Sequence, residues 1–180
     1  MTISTSALQQ KNAKHLIQSF SDLSYINNPE ATHIISRADG VYIYDNDGKK
    51  ILDSMSGLWC VNMGYGQKSI IDAVNEQMKE LVYYNNFFGS SHPSAIKLSE
   101  MIADKTPPGM NKVYFTGSGS EANDTVVRLA RHYWAAKGKP SKSVIISRKN
   151  AYHGSTMAGA SLGGMSAMHA QGGLPIPDIE

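Results

Sequence analysis

The run Val113-Tyr114-Phe115-Thr116 is apolar and rich in β-formers, and it stops at Gly117. Ser118 and Gly119 follow, and a helical pattern opens at Ser120. A strand that feeds a helix through a short, small-residue loop constrains the fold more than anything else in the chain. The first N–H groups of a helix have no intrahelical acceptor and carry the positive end of its dipole, so such a loop can surround a phosphate. Ser118 and Glu121 stand at Ser-x-x-Glu spacing, which specifies the helix start locally. Gly117 and Gly119 let the backbone approach a ligand without a Cβ in the way. No Lys follows Gly119, so this is not a nucleoside-triphosphate loop. Ala122 stands where a dinucleotide fingerprint has its third Gly, a position that tolerates Ala, so that exclusion is weaker. Taken alone, Gly-Ser-Gly-Ser fits an ordinary strand-to-helix connection as well as a phosphate loop.

The surrounding elements set a fold class. The long helix from Ser120 to about Lys137 is expected to bury Ala122, Val126, Leu129, Ala130 and Tyr133 and to expose Arg128 and Arg131. Gly138 and Pro140 close it. Ser143 to Ser147 is short and apolar, as a buried parallel strand is. Strand, helix and strand make one βαβ unit with a right-handed crossover, so the class is α/β. Upstream, a helix is expected over roughly Gln10 to Leu23, broken by Asn28-Pro29. Val41–Tyr44 and Lys50–Leu52 flank Asp45-Asn46-Asp47-Gly48, a strong hairpin signal. Ile70, Ile71, Val74, Met78 and Leu81 recur at helical spacing near Ser69 to Val82. Ser91-His92-Pro93 opens another helix, which Pro107-Pro108-Gly109 ends.

Composition removes several classes of function. At 180 residues the chain can bury a sizeable core. A formal net charge of +2, without a Lys/Arg cluster, argues against a nucleic-acid or membrane partner. No apolar run approaches the roughly 18 residues of a membrane span. Cys60 is the only cysteine, which excludes an intrachain disulfide and suits a reducing, cytoplasmic setting. No Cys/His spacing indicates a metal site.

Three segments occur together and in order: Ser56 to Gly66, Phe115 to Asp124, and Asn150 to Thr156. That set resembles the class III pyridoxal-phosphate aminotransferases, and most of all the ω-transaminases that use pyruvate as amino acceptor. The likeness runs from about Asn28 to the last residue. It implies an aspartate-aminotransferase-like, fold type I architecture: residues 1–55 join the small domain, and residues 56–180 begin the large, cofactor-binding domain. It implies pyridoxal 5'-phosphate as cofactor, a primary amine donor, a keto-acid acceptor and a homodimer. Another enzyme of the same fold, such as an aminomutase or decarboxylase, is the alternative, as is a non-catalytic cofactor-binding or dimerisation remnant.

The resemblance assigns Gly119 and Ser120 to the cofactor phosphate; Ser118 joins them by its place at the helix start. It implies that the ring of Tyr152 stacks on the cofactor, with His153 in support, and that Leu58 and Trp59 line the substrate pocket. It carries the Phe87-Phe88 loop toward the active site of a second subunit. Read without the family, Tyr152 is a half-buried structural tyrosine, Trp59 a hydrophobic plug and Ser118 a helix cap. The family's Schiff-base lysine and the acidic partner of the pyridinium nitrogen are expected beyond residue 180. Lys97, Lys112, Lys137, Lys139, Lys142 and Lys149 read as solvated charges.

Overall fold

The computed structural model describes residues 3–180. The chain divides into two compact units, Met1–Ser90 and Ser91–Glu180.

The first unit opens with α1 (Thr5–His15), capped by the Ser4 hydroxyl. This helix ends well before the expected Leu23. Leu16 is already extended, and Phe20 has a φ of 53°. The apolar spacing of Leu16, Phe20 and Leu23 fits one continuous helical face, which the chain does not form. Asp22 instead starts a separate turn, α2 (Leu23–Ile26), with its carboxylate accepting the Ser24 N–H at 2.8 Å. Asn28 caps a 3-10 turn over Pro29–Ala31, so the Asn-Pro break falls as expected. Gln9 and Asn12 of α1 reach across to the carbonyl and hydroxyl of buried Thr32, which ties α1 to this turn.

The hairpin forms as its turn residues require. β2 (Tyr42–Asp45) and β3 (Lys50–Leu52) pair antiparallel with Ile43 opposite Ile51. Gly48 takes the left-handed φ of 88° that the turn demands. β1 (Ile35–Asp39), not foreseen, adds to the other edge of β2. After the one-turn element α3 (Ser56–Trp59) comes α4 (Lys68–Glu80), close to its expected span. Ile70, Ile71, Val74 and Met78 share one face of α4, and that face is exposed.

The second unit begins with α5 (Pro93–Ala103), capped by His92 with Pro93 at its first turn. The long helix α6 (Gly119–Ala136) packs against α7 (Met157–Leu162), which is followed by α8 (Ser166–His169). Two expectations change here. Val113–Thr116 forms no β-ladder among the described residues; a strand exists only as a member of a pair, and none of these residues pairs with it. The parallel pairing that does form joins Ile145 to Ile179. The Ile145 N–H donates to Asp178 at 2.9 Å and the Glu180 N–H donates to Ile145 at 3.0 Å. The crossover between those two segments carries α7 and α8.

The second change is the buried face of α6. Val127 is 5% exposed, whereas Val126, Leu129 and Tyr133 are exposed. The inward face carries Asp124, Val127 and Arg131, one position round from the expected stripe. Arg131 was expected in solvent, yet its guanidinium donates to the carbonyls of Ser143 (3.0 Å), Pro177 (2.8 Å) and Asp178 (3.2 Å). Hydrogen bonds, not hydropathy, choose this face. No described helix is long and apolar enough to cross a membrane. No group of three or more His, Cys, Asp or Glu among the described residues could hold a metal ion.

Candidate functional site

The helix start at Ser118 is built as its spacing requires. The Glu121 N–H donates to the Ser118 hydroxyl at 3.1 Å, and the Glu121 carboxylate accepts the Gly117 N–H at 2.7 Å. Such a cap is worth about 1 kcal/mol. It also decides which amides stay available. A Cβ on Gly117 would lie 2.9 Å from Glu121 Oε2, so Gly117 serves the cap and not a ligand. Gly119 and Ser120 have no intramolecular acceptor for their N–H groups among the described residues. Nothing lies within 4 Å of a Cβ built on Gly119. Two unpaired amides at the positive end of an 18-residue helix, with open space beside Gly119, fit a phosphate.

The second expected cofactor segment is bolted to the first. The Ser155 N–H donates to Ser120 Oγ at 3.1 Å. Asn123 donates to the His153 carbonyl at 2.6 Å. Asp124 accepts the Thr156 hydroxyl at 2.6 Å and the Gly159 N–H at 3.1 Å, which caps α7 from α6. Gly154 sits buried between these bonds with φ +122°, and a Cβ there would meet Ser120 Oγ at 2.5 Å and Ser120 Cα at 2.8 Å. The structure therefore brings Ser118, Gly119 and Ser120 together with Tyr152 and His153. Tyr152 is 54% exposed. His153 makes its contact through its carbonyl; the link does not use the imidazole. Asn123 and Asp124 complete the assembly. Their polar pattern inside the Ser-Glu-Ala-Asn-Asp run was the only local sign of it.

Leu58 and Trp59 lie in the first unit, both exposed. They sit in a left-handed turn: Ser56, Gly57, Leu58 and Trp59 have φ of 49°, 60°, 69° and 64°. Left-handed backbone costs about 1–2 kcal/mol for each non-glycine residue, so the surroundings must hold it. The sheet supplies the foundations. The Asp53 N–H donates to Val41 at 3.0 Å, and the Tyr65 and Gly40 backbones bond to each other at 2.8 and 3.1 Å. The Asp53 carboxylate then accepts the Tyr65 hydroxyl at 2.7 Å and the Gly57 N–H at 2.7 Å.

The Tyr65 hydroxyl, followed by backbone N–H groups, holds the Asp53 carboxyl below its ordinary 3.8. The same bond raises Tyr65 above its ordinary 10.0. The contribution of Asp53 is complete above 3.8 and is lost as pH falls through its depressed value. That of Tyr65 is complete below 10.0 and is lost as pH rises through its raised value. The pair is intact across the whole range between. Asp53 lies outside the three diagnostic segments, and Tyr65 lies within Ser56 to Gly66.

Phe87 and Phe88 stand adjacent near the end of the first unit, 6.1 Å between ring centroids and both exposed, with Phe88 at φ 53°.

A family model for aminotransferase class-III matches residues 25–179. The chain belongs to the class-III aminotransferases. That family is pyridoxal-phosphate dependent. Putrescine–pyruvate aminotransferase of Pseudomonas aeruginosa is 56% identical over 171 residues, 95% of this chain and 37% of that protein. The (S)-enantioselective omega-transaminase of Thermomicrobium roseum superposes with a TM-score of 0.92 at 33% identity, covering 100% of this chain and 40% of that one. A thermostable omega transaminase, a tryptophan-to-glycine variant engineered for asymmetric synthesis of enantiopure bulky amines, superposes with a TM-score of 0.91 at 37% identity. It covers 96% of this chain and 38% of that one. The class-III chain thus has the fold type I architecture and corresponds to the N-terminal 37–40% of these relatives.

Proposed function

We propose that the whole protein is a pyridoxal-phosphate-dependent aminotransferase that moves an amino group from a primary amine or ω-amino acid to pyruvate or a similar keto acid. One observation carries this reading: the open amides of Gly119 and Ser120 are joined through Ser120 Oγ to the segment that presents Tyr152. The name of the Pseudomonas aeruginosa relative supports an amine donor with pyruvate as acceptor. When bound, pyridoxal phosphate supplies an aldehyde for the amine and an electron sink for the carbanion. The residues of this chain bind and orient it. The amides of Gly119 and Ser120, with the hydroxyls of Ser118 and Ser120, take the phosphate. Tyr152 stacks on the ring, supported by His153. Leu58 and Trp59 line the donor pocket. We place the Schiff-base lysine and the acidic partner of the pyridinium nitrogen beyond residue 180. Lys97, Lys112, Lys137, Lys139, Lys142 and Lys149 are exposed, like solvated charges.

We assign residues 1–55 to the small domain, residues 56–180 to the start of the large one, and the enzyme to the cytoplasm, in keeping with the free, exposed Cys60. The complete enzyme incubated with pyridoxal phosphate is expected to absorb in the visible, and a reductant should bleach that band. A colourless protein that a reductant leaves unchanged ends the reading.

The exposed Phe87-Phe88 pair suits a face covered by a second copy. We expect an obligate homodimer in which this loop reaches the partner's active site. Sedimentation is the check, and a stable, active monomer at low concentration contradicts it.

A further inference from the structure

Four successive residues of left-handed backbone do not hold themselves. The Leu58–Trp59 turn has one side chain that contacts it from several directions. Asp53 Oδ1 accepts the Met55 N–H at 3.2 Å, before the turn. Asp53 Oδ2 accepts the Gly57 N–H at 2.7 Å, inside the turn, and the Tyr65 hydroxyl at 2.7 Å, from twelve residues on. We propose that Asp53, steadied by Tyr65, is the positioning residue for Leu58 and Trp59 and thereby helps decide which amines the site accepts.

Chemistry explains why the residue is an aspartate. An ionised carboxylate has only acceptors and can take three donors at once. Asparagine has the same shape but turns an NH2 toward donors that need an acceptor. The turn is also closed tightly over this pair. A Cβ on Gly57 would lie 2.8 Å from Val61 Cγ2 and 3.0 Å from Tyr65 Oη, at a φ of +60°. The Cys60 thiol donates to the Gly57 carbonyl at 2.9 Å and closes the other side. Asp53 acts through the turn and not on the reacting atoms. The effect on amines rests on the proposal that Leu58 and Trp59 line the donor pocket; the grip on the turn does not.

The test uses the complete holoenzyme labelled with fluorotryptophan, with the Trp59 resonance assigned by its loss in Trp59→Leu. Asp53→Asn should shift and broaden the Trp59 resonance, and Tyr65→Phe should do so to a smaller extent. Both variants should keep the visible cofactor band. The kcat/KM ratio of a bulky to a small amine should change about tenfold in Asp53→Asn, through KM more than kcat. A shifted resonance with an unchanged amine ratio supports the grip of Asp53 and removes Trp59 from the pocket instead. An unchanged Trp59 resonance overturns the inference whatever the kinetics. If Asp53→Asn does not fold, Tyr65→Phe decides by the same resonance.

Discussion

Gly154→Ala should separate the two halves of the proposed cofactor site. The new methyl would sit 2.5 Å from Ser120 Oγ and 2.8 Å from Ser120 Cα, and the second neighbour is backbone, which cannot swing away. The φ of +122° adds strain for any residue with a Cβ. Overpacking costs about 1–3 kcal/mol and a disallowed backbone a further 1–3 kcal/mol or so. Relief requires the Tyr152 segment to move off α6, which breaks the Ser155-to-Ser120 and Asn123-to-His153 bonds. The complete enzyme should therefore melt lower and bind pyridoxal phosphate at least tenfold more weakly. Gly119→Ala is the companion variant. Its methyl meets no protein atom within 4 Å, so the cofactor-free protein should melt like the parent. The same methyl occupies the space assigned to the phosphate, so affinity should fall there too. Parental affinity in both variants, from a titration followed in the visible, would remove the phosphate from this loop.

Trp59→Leu should change substrate preference without disturbing the cofactor. Trp59 is 77% exposed, so shortening it removes little packing from its own unit. On the proposed role of Trp59, what it removes is pocket wall. A change of a few methylenes in a pocket is worth roughly 1–3 kcal/mol of discrimination. The kcat/KM ratio for bulky against small amines should shift by about one to two orders of magnitude, with the visible band retained. If every amine slows equally, or the protein unfolds, Trp59 is a hydrophobic plug.

These two variants sit at different distances from what the sequence discloses. Ser118 and Glu121 are three residues apart, and their cap forms as read, because both donors and acceptors lie within one helical turn. The hairpin around Asp45–Gly48, the Asn28 turn and the Pro93 helix start are local in the same sense. Helix α1 shows the limit of local reading. Apolar spacing extended it to Leu23, but Asp22 competes for the backbone and starts a new turn.

Periodicity alone ranked Val126 as inside and Arg131 as outside, and the tertiary structure reversed both. Arg131 finds carbonyls 46 and 47 residues away, and Asp124 finds Thr156 at a separation of 32. Asp53 meets Tyr65 at a separation of 12. A polar residue reads as solvent-facing until its distant partner is known, because burial penalises only the unpaired group. The chain's own chemistry thus determined where the helix of the proposed phosphate loop begins, which residues cap it and which family its motifs join. Only folding decided that Gly154 packs against Ser120, and that the Asp53 carboxylate accepts from Met55, Gly57 and Tyr65 around the turn bearing Trp59. Those contacts depend on backbone paths meeting in space, which no spacing along the chain encodes.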